Sequence, residues 1–247
     1  MELKILTMNI WRYYKWDKRK KKVIQFLKKQ NADVVLFQEA ASDSRLKKFN
    51  NQVEELNREL RYPYHAFHKL TKMDKWHEKP INWDMGYGFG ILSKFPITSS
   101  KLHILPHIEK QKDFGFLHCI INITSGGIDL INVHFENTNN GSEKHLHETI
   151  KWCKLNNISP IIAGDFNLLD TNKLIKILGD SYEISYEIAP YFSFMPTLFS
   201  HNKEPVTLDY IVAHKKKFHI KKIRCIGKEV IEVTDHNPVL ALIEIKE

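Results

Sequence analysis

No stretch of this sequence approaches the ~18 consecutive apolar residues that a membrane-spanning helix requires. Its first residues, Met1-Glu2-Leu3-Lys4-Ile5-Leu6, lack the basic start, apolar stretch and small-residue cleavage site of a secretory leader. Cysteine is scarce. Cys119, Cys153 and Cys225 are odd in number and form no CxxC pair, which points to buried free thiols in a reducing compartment. Low-complexity tracts and internal repeats are also missing, and the 10 Gly and 9 Pro are scattered as turn punctuation. A soluble, cytoplasmic, monomeric protein is therefore the expectation.

The 247 residues include 43% hydrophobic and 11% aromatic side chains, enough to bury a sizeable core in one α/β domain spanning residues 1–247. The formal net charge of +8 suits polyanionic partners such as nucleic acid, phosphorylated head groups or an anionic surface, although solvated basic faces explain such a charge equally well.

Apolar spacing predicts helices over 16–30, 42–60, 142–155 and 171–178. Ser42 or Ser44 is the expected cap of the second. Apolar and β-branched runs predict strands over 3–10, 34–37, 89–93, 102–105, 160–163, 207–213, 218–226 and 238–245. Residues 116–123 and 128–135 flank Ser125-Gly126-Gly127 as a hairpin, and 62–84 reads as strand and loop. Hairpins mixed with strand–helix units suggest a mixed sheet, or two sheets packed face to face with helices outside.

Polar residues recur at the ends of the apolar runs. Asn9 ends the first strand, Gln38-Glu39 ends the second, and His134 closes the hairpin. Gly164-Asp165-Phe166-Asn167 follows Ile161-Ile162-Ala163, Asp209 opens a late strand, and Asp235-His236 precedes the last. Strand ends are where a packed scaffold can present side chains to a shared cleft. Glu39, Asp165 and Asp235 are hard oxygen donors and Asn9 and Asn167 add amide oxygens, a set that suits Mg²⁺ or Mn²⁺. Such an ion polarises a phosphoryl oxygen, His134 and His236 can protonate or hydrogen-bond a phosphate, and Asp209 can orient an imidazole. Each element alone has a plainer explanation, since Asp-Phe-Asn after a strand is often an Asx turn and a lone strand histidine is usually a satisfied core residue. Their order and joint placement carry the argument.

That order resembles the endonuclease/exonuclease/phosphatase superfamily, which includes deoxyribonuclease I, exonuclease III, neutral sphingomyelinases and inositol polyphosphate 5-phosphatases. The matching segments are Thr7-Met8-Asn9, Leu36-Phe37-Gln38-Glu39, Gly90-Ile91-Leu92-Ser93-Lys94-Phe95-Pro96-Ile97, Asn132-Val133-His134, Gly164-Asp165-Phe166-Asn167, Leu208-Asp209-Tyr210-Ile211 and Thr234-Asp235-His236-Asn237-Pro238-Val239. The resemblance implies a four-layer α/β sandwich of two mixed, mainly antiparallel sheets with helices outside and the site between the sheets. It also implies roles. Glu39 resembles the principal metal ligand with Asn9 beside it, and Asp165 resembles the group that orients or deprotonates the attacking water. Asn167 and Asp235 resemble further metal contacts, and His236, paired with Asp209, resembles the phosphate-binding histidine. His134 resembles a second catalytic histidine, and Asn137 joins Asn167 as an expected phosphate contact.

Two departures bear on substrate. Enzymes of the exonuclease III type carry tyrosine where His134 stands. The glutamate that supports this histidine in deoxyribonuclease I has no counterpart here. His134-Phe135-Glu136-Asn137 looks more like bacterial members and the tyrosyl-DNA phosphodiesterases. A nuclease or nucleic-acid phosphodiesterase is the leading expectation, supported by Lys18–Lys22, Lys215–Lys217 and the aromatics Trp11, Tyr13, Tyr14, Trp76 and Trp83. A lipid or small-molecule phosphoesterase is the alternative, and a non-catalytic binding protein on the same fold is the third reading.

Overall fold

The computed structural model describes residues 1–246 apart from 47–48, 77, 125, 185–206 and 228–232. In chain order the elements are β1 (Glu2–Asn9), α1 (Trp16–Gln30), β2 (Val34–Asp43), α2 (Gln52–Leu60), β3 (Tyr64–Lys72), β4 (Lys75–Trp76), β5 (Lys79–Pro80), β6 (Met85–Ser93) and β7 (Ile97–Ile104). They continue with β8 (Gly115–Ile123), β9 (Gly126–His134), α3 (Asn139–Leu155), β10 (Ile161–Asp165), α4 (Thr171–Leu178), β11 (Tyr182–Ile184), β12 (Asp209–His214), β13 (Phe218–Cys225) and β14 (Val239–Ile245). Two six-stranded sheets form, in the orders β13-β14-β1-β2-β6-β3 and β11-β12-β10-β9-β8-β7. Each is antiparallel except for one central parallel pair, β1 with β2 and β9 with β10. Parallel neighbours need a crossover, and α1 and α3 supply it.

Side-chain alternation assigns the layers. Leu3, Ile5, Val34, Leu36, Leu130, Ile161, Ala163, Ile211 and Ala213 belong to one buried cluster between the sheets. Their sequence neighbours Leu6, Met8, Val35 and Phe37 pack under α1 and α2. Ile131, Val133, Ile162, Tyr210 and Val212 pack under α3 and α4. Helix, sheet, sheet and helix therefore make four layers, as the family resemblance implied. Because a strand repeats every two residues, the inter-sheet face runs Leu3-Ile5-Thr7-Asn9 on β1, Leu130-Asn132-His134 on β9 and Ile161-Ala163-Asp165 on β10. Each run passes from apolar to polar toward the same end.

Several boundaries differ from expectation. Residues 42–60 do not form one helix: β2 continues to Asp43, Ser42 bridges Asn51, and α2 begins at Gln52. The cap is Asn51, whose side chain accepts the Glu54 amide at 3.0 Å, so neither Ser42 nor Ser44 caps it. Gln38-Glu39 does not end β2 either. The register jumps from Phe37↔Gly90 to Ala40↔Gly88, so two residues oppose one, and Glu39 takes a left-handed φ of 53°. A β-bulge of this kind re-aims a side chain without ending the strand. β6 starts at Met85, four residues before the expected start, because Gly86 and Gly88 lie too close to β3 for a side chain: a Cβ at Gly88 would stand 2.0 Å from the His68 carbonyl. The hairpin of β8 and β9 is present, with Ile123 opposite Gly126; Ser125 of its expected turn lies outside the described residues.

Gly164 shows how tightly the central strands approach. Its φ is +145°, and a Cβ there would meet the Val133 carbonyl oxygen at 2.2 Å and its amide nitrogen at 2.8 Å. Gly164→Ala combines backbone strain with a clash against backbone, a loss of about 2–5 kcal/mol. A fall in Tm of roughly 5–15 °C is expected for a chain of this size, and an unchanged Tm would contradict this reading of the β9–β10 contact.

Candidate active site

Strand register places the chemistry. Asp209, Asp165 and His134 are direct neighbours across β12, β10 and β9. In the facing sheet Asn9 lies opposite Gln38, with Glu39 turned out by the bulge. The two sheets are joined across this end by a buried bridge. The Gln38 amide donates to Asn132 Oδ1 at 2.5 Å and Thr7 Oγ1 at 2.9 Å, and the Asn132 amide donates to the carbonyls of Phe37 and Gly90.

Around Asp165 the expected residues converge. Asn9 Nδ2 donates to Asp165 Oδ2 at 3.1 Å. His134 Nε2 and His236 Nε2 stand 3.7 and 3.8 Å from the same oxygen, and His134 is 4.0 Å from Glu39 Oε1. His236 Nδ1 pairs with Asp209 Oδ2 at 2.8 Å. Asp165 Oδ1 accepts the backbone amide of Asn167 at 3.0 Å, so the Asx turn and the functional placement hold together. Asn167 sits at φ 49° with its side-chain amide donated to the Phe135 carbonyl. Asp235 is anchored through Thr234, whose hydroxyl donates to the Asn9 carbonyl at 2.6 Å. Asn137 stands apart: it is exposed and receives the Lys110 ammonium on its Oδ1.

The two histidines differ in charge. Burial pushes the imidazole of His236 down, but the carboxylates of Asp209 and Asp165 outweigh it and hold its pKa well above the ordinary value. Burial dominates at His134, which falls to about 4 despite Glu39 nearby. At neutral pH His236 is cationic and His134 neutral. The carboxylates are crowded. Burial raises Asp165 against the pull of His236, and Asp235 rises to about 6 for the same reason.

Glu39 escapes this. Burial would raise it, but the Arg12 guanidinium holds it below the usual range, with Arg12 Nε 2.8 Å from Glu39 Oε2. A cation already sits on the carboxylate expected to be the principal metal ligand. Two further carboxylates, Asp165 and Asp235, are held above their ordinary pKa by burial, which the neighbouring His236 only partly offsets. Oxygen donors in this state fit a hard divalent cation. Glu39, Asp165 and Asp235 are the residues that would hold one; Asn9, expected beside them as a ligand, turns its amide N–H to Asp165 and accepts the Trp11 amide on its oxygen at 3.0 Å. A second grouping, Asp165, Asp209 and His236, has its ligand atoms within 4.8 Å of one another. Two of its members are committed to their own hydrogen bond, so it reads as a dyad facing a carboxylate.

Arg12 and two other basic residues had no separate signal in the sequence. Arg19, inside the run Lys18–Lys22, is buried and gives its donors to five carbonyls: Ile10, Trp11, Arg12, Tyr14 and Val233. It ties the loop carrying Arg12 to the segment that carries Asp235. Lys112, from the loop 105–114, lies close enough to lower His134 and to feel Glu39 and Asp165. By contrast, Lys215–Lys217 follow His214, the end of β12 opposite to Asp209, on the order of 20 Å along the strand from the site. That basic run does not border the centre.

Asp209→Asn should lower the His236 pKa, because burial is then less opposed. The raised value means that the pair's stabilisation is complete below the unfolded histidine value of about 6.5 and is lost as pH rises through the folded value. An NMR titration of His236 unchanged by the substitution would show that the pair does not set its charge.

Comparison with known proteins follows this geometry. The Endonuclease/Exonuclease/phosphatase family model matches residues 6–236. No curated protein matches by sequence. Among solved structures, an endonuclease/exonuclease/phosphatase family protein from Leptotrichia buccalis C-1013-b is similar with TM-score 0.75 and 18% identity, covering 99% of this chain and 100% of its own. D. rerio TDP2 complexed with single strand DNA product is similar with TM-score 0.73 and 16% identity, covering 98% and 99%. Sphingomyelinase C from Streptomyces griseocarneus gives 0.71 and 17%, also covering 98% and 99%. At these identities the structures testify to the fold alone. The family match over nearly the whole length, and the sandwich it accompanies, establish that the chain belongs to the endonuclease/exonuclease/phosphatase family.

Proposed function

We propose that the protein is a divalent-metal-dependent phosphodiesterase acting on nucleic acid, with residues 1–247 as one catalytic domain. One observation supports this above the others: the His236–Asp209 pair and His134 flank one carboxylate, Asp165, at the polar end of the inter-sheet layer. A bound Mg²⁺ or Mn²⁺ would polarise the phosphoryl oxygen and neutralise developing charge. The protein's own groups do the rest. His236 donates to a non-bridging phosphate oxygen, and Asp209 keeps it charged and oriented. Asp165, held by Asn9 and the Asn167 amide, orients the attacking water and takes up its proton. Asn167 borders the phosphate. His134, neutral at rest, hydrogen-bonds the departing oxygen through its ring N–H.

Nucleic acid is favoured over a lipid by what surrounds the centre. Trp11 and Tyr14, with ring centroids 4.0 Å apart, are half-buried in the loop after Asn9. Partly exposed aromatic rings take stacked bases. A DNA-bound neighbour of the same fold agrees with this reading. The second reading, a lipid phosphoesterase, draws on the likeness to a sphingomyelinase.

Hydrolysis of DNA and RNA oligonucleotides should require Mg²⁺ or Mn²⁺ and stop with chelator. Glu39→Gln should need about 10-fold more metal or worse while melting as a folded protein. Full activity in chelator would reject the metal assignment. Hydrolysis of sphingomyelin with none of nucleic acid would select the second reading.

His134→Ala should lose roughly 10²-fold on a natural phosphodiester, whose alkoxide builds charge that needs a hydrogen bond. It should lose far less on a nitrophenyl phosphodiester, whose ring spreads that charge. Equal losses on both substrates would end the leaving-group role.

A further inference from the structure

The loop between β7 and β8 carries a cation that the chemistry above does not use. Its ends are closed by a hydrogen bond from the Leu105 amide to the Phe114 carbonyl at 2.9 Å. Its first turn is held by His145, which accepts the Glu136 amide on Nδ1 and donates from Nε2 to the Pro106 carbonyl at 2.8 Å. The Glu109 amide donates to buried Glu136, and Thr71 of β3 donates to the Asp113 carbonyl at 3.0 Å. These ties come from three separate elements, so the loop's path is specified well away from its own sequence.

What the loop presents is Lys112. Its ammonium lies 4.6 Å from the centre of the Phe114 ring, and that ring meets the His134 imidazole edge-on at 5.8 Å. Among the described residues Lys112 forms no hydrogen bond or ion pair. Glu39 and Asp165 are near enough to attract it but do not contact it, and burial lowers its pKa. A half-exposed ammonium held over an aromatic ring, with no anion in contact, is open to one brought by a ligand. Through the Phe114 ring it stands beside His134, the histidine assigned to the departing oxygen.

We propose that Lys112 binds a second phosphate of the substrate, one next to the scissile group on its leaving side. This inference rests on the phosphodiesterase reading of the site. It names the substrate class more closely: a phosphodiester with a further phosphate next to the scissile one, as in a nucleic acid strand. A sphingomyelin presents ceramide on its leaving side and carries no second phosphate, so it has nothing to pair with Lys112.

The test is a binding measurement without turnover, using monoesters that a phosphodiesterase releases rather than cleaves. Thymidine 3′,5′-bisphosphate is titrated against thymidine 5′-monophosphate by calorimetry in Mg²⁺. The bisphosphate should be preferred by about 10- to 100-fold, the scale of a charge-assisted contact. Lys112→Met should abolish the preference with Tm unchanged, Lys112→Arg should keep most of it, and Lys110→Met should leave it intact. No preference in the unaltered protein, a preference that survives Lys112→Met, or equal weakening of both ligands would overturn the assignment. Absence of any phosphodiester hydrolysis would sink the proposed function instead, and the binding preference is read independently of it.

Discussion

Charge buried between two sheets has to be compensated where it lies, because burial strips away most of the water that would otherwise solvate it. Glu39, Asp165, Asp209 and Asp235 converge at one end of an otherwise apolar layer, and the rest of the centre answers them. Arg12 neutralises Glu39, and His236 is held cationic between Asp209 and Asp165. Asn9 and the Asn167 amide each spend a donor on Asp165. Two carboxylates still sit above their ordinary pKa. That remaining imbalance is the physical basis for assigning a divalent cation to this place.

The scaffold keeps such a cluster intact by hydrogen-bonding the sheets to one another directly beneath it. Gln38 and Asn132 replace an apolar contact at the depth where the layer turns from Leu36 and Leu130 to the catalytic end. The polar bridge has no slack in register, since shifting either strand by one residue would exchange its faces. The bulge at Glu39 solves a related problem. Gln38 already faces the other sheet, so only an extra residue in left-handed conformation lets Glu39 approach the same centre. Arg19 then gathers the carbonyls of the β1–α1 loop around a single guanidinium, a role that its planar fork of five donors fits and an ammonium does not.

Much of this was legible in the sequence, for reasons that differ between elements. α1 spans 16–30 as expected, because its apolar stripe and basic opposite face specify a surface helix without help from elsewhere. Asn9, Glu39, His134, Asp165, Asp209 and His236 were visible because polar residues interrupt apolar strands at their ends, and an interruption of that kind marks a cleft. What stayed hidden depends on partners distant in the chain. Arg12 means nothing until Glu39 is beside it, and Lys112 is one of many lysines until the loop around it is tied to Glu136, His145 and Thr71. Net charge misled in one respect: Lys215–Lys217 are at the far end of β12, and Arg19 is buried among carbonyls.

The central claim is that the crowded carboxylates form a metal centre rather than a proton-sharing polar core. It is tested most directly by a crystal soaked in Mn²⁺ and measured at the manganese edge. The account predicts an anomalous peak at ligand distance from Glu39, with Asp165 and Asp235 around it and the Arg12 contact loosened. A centre that stays free of anomalous signal at saturating Mn²⁺, or a peak bound only outside this cluster, would contradict it.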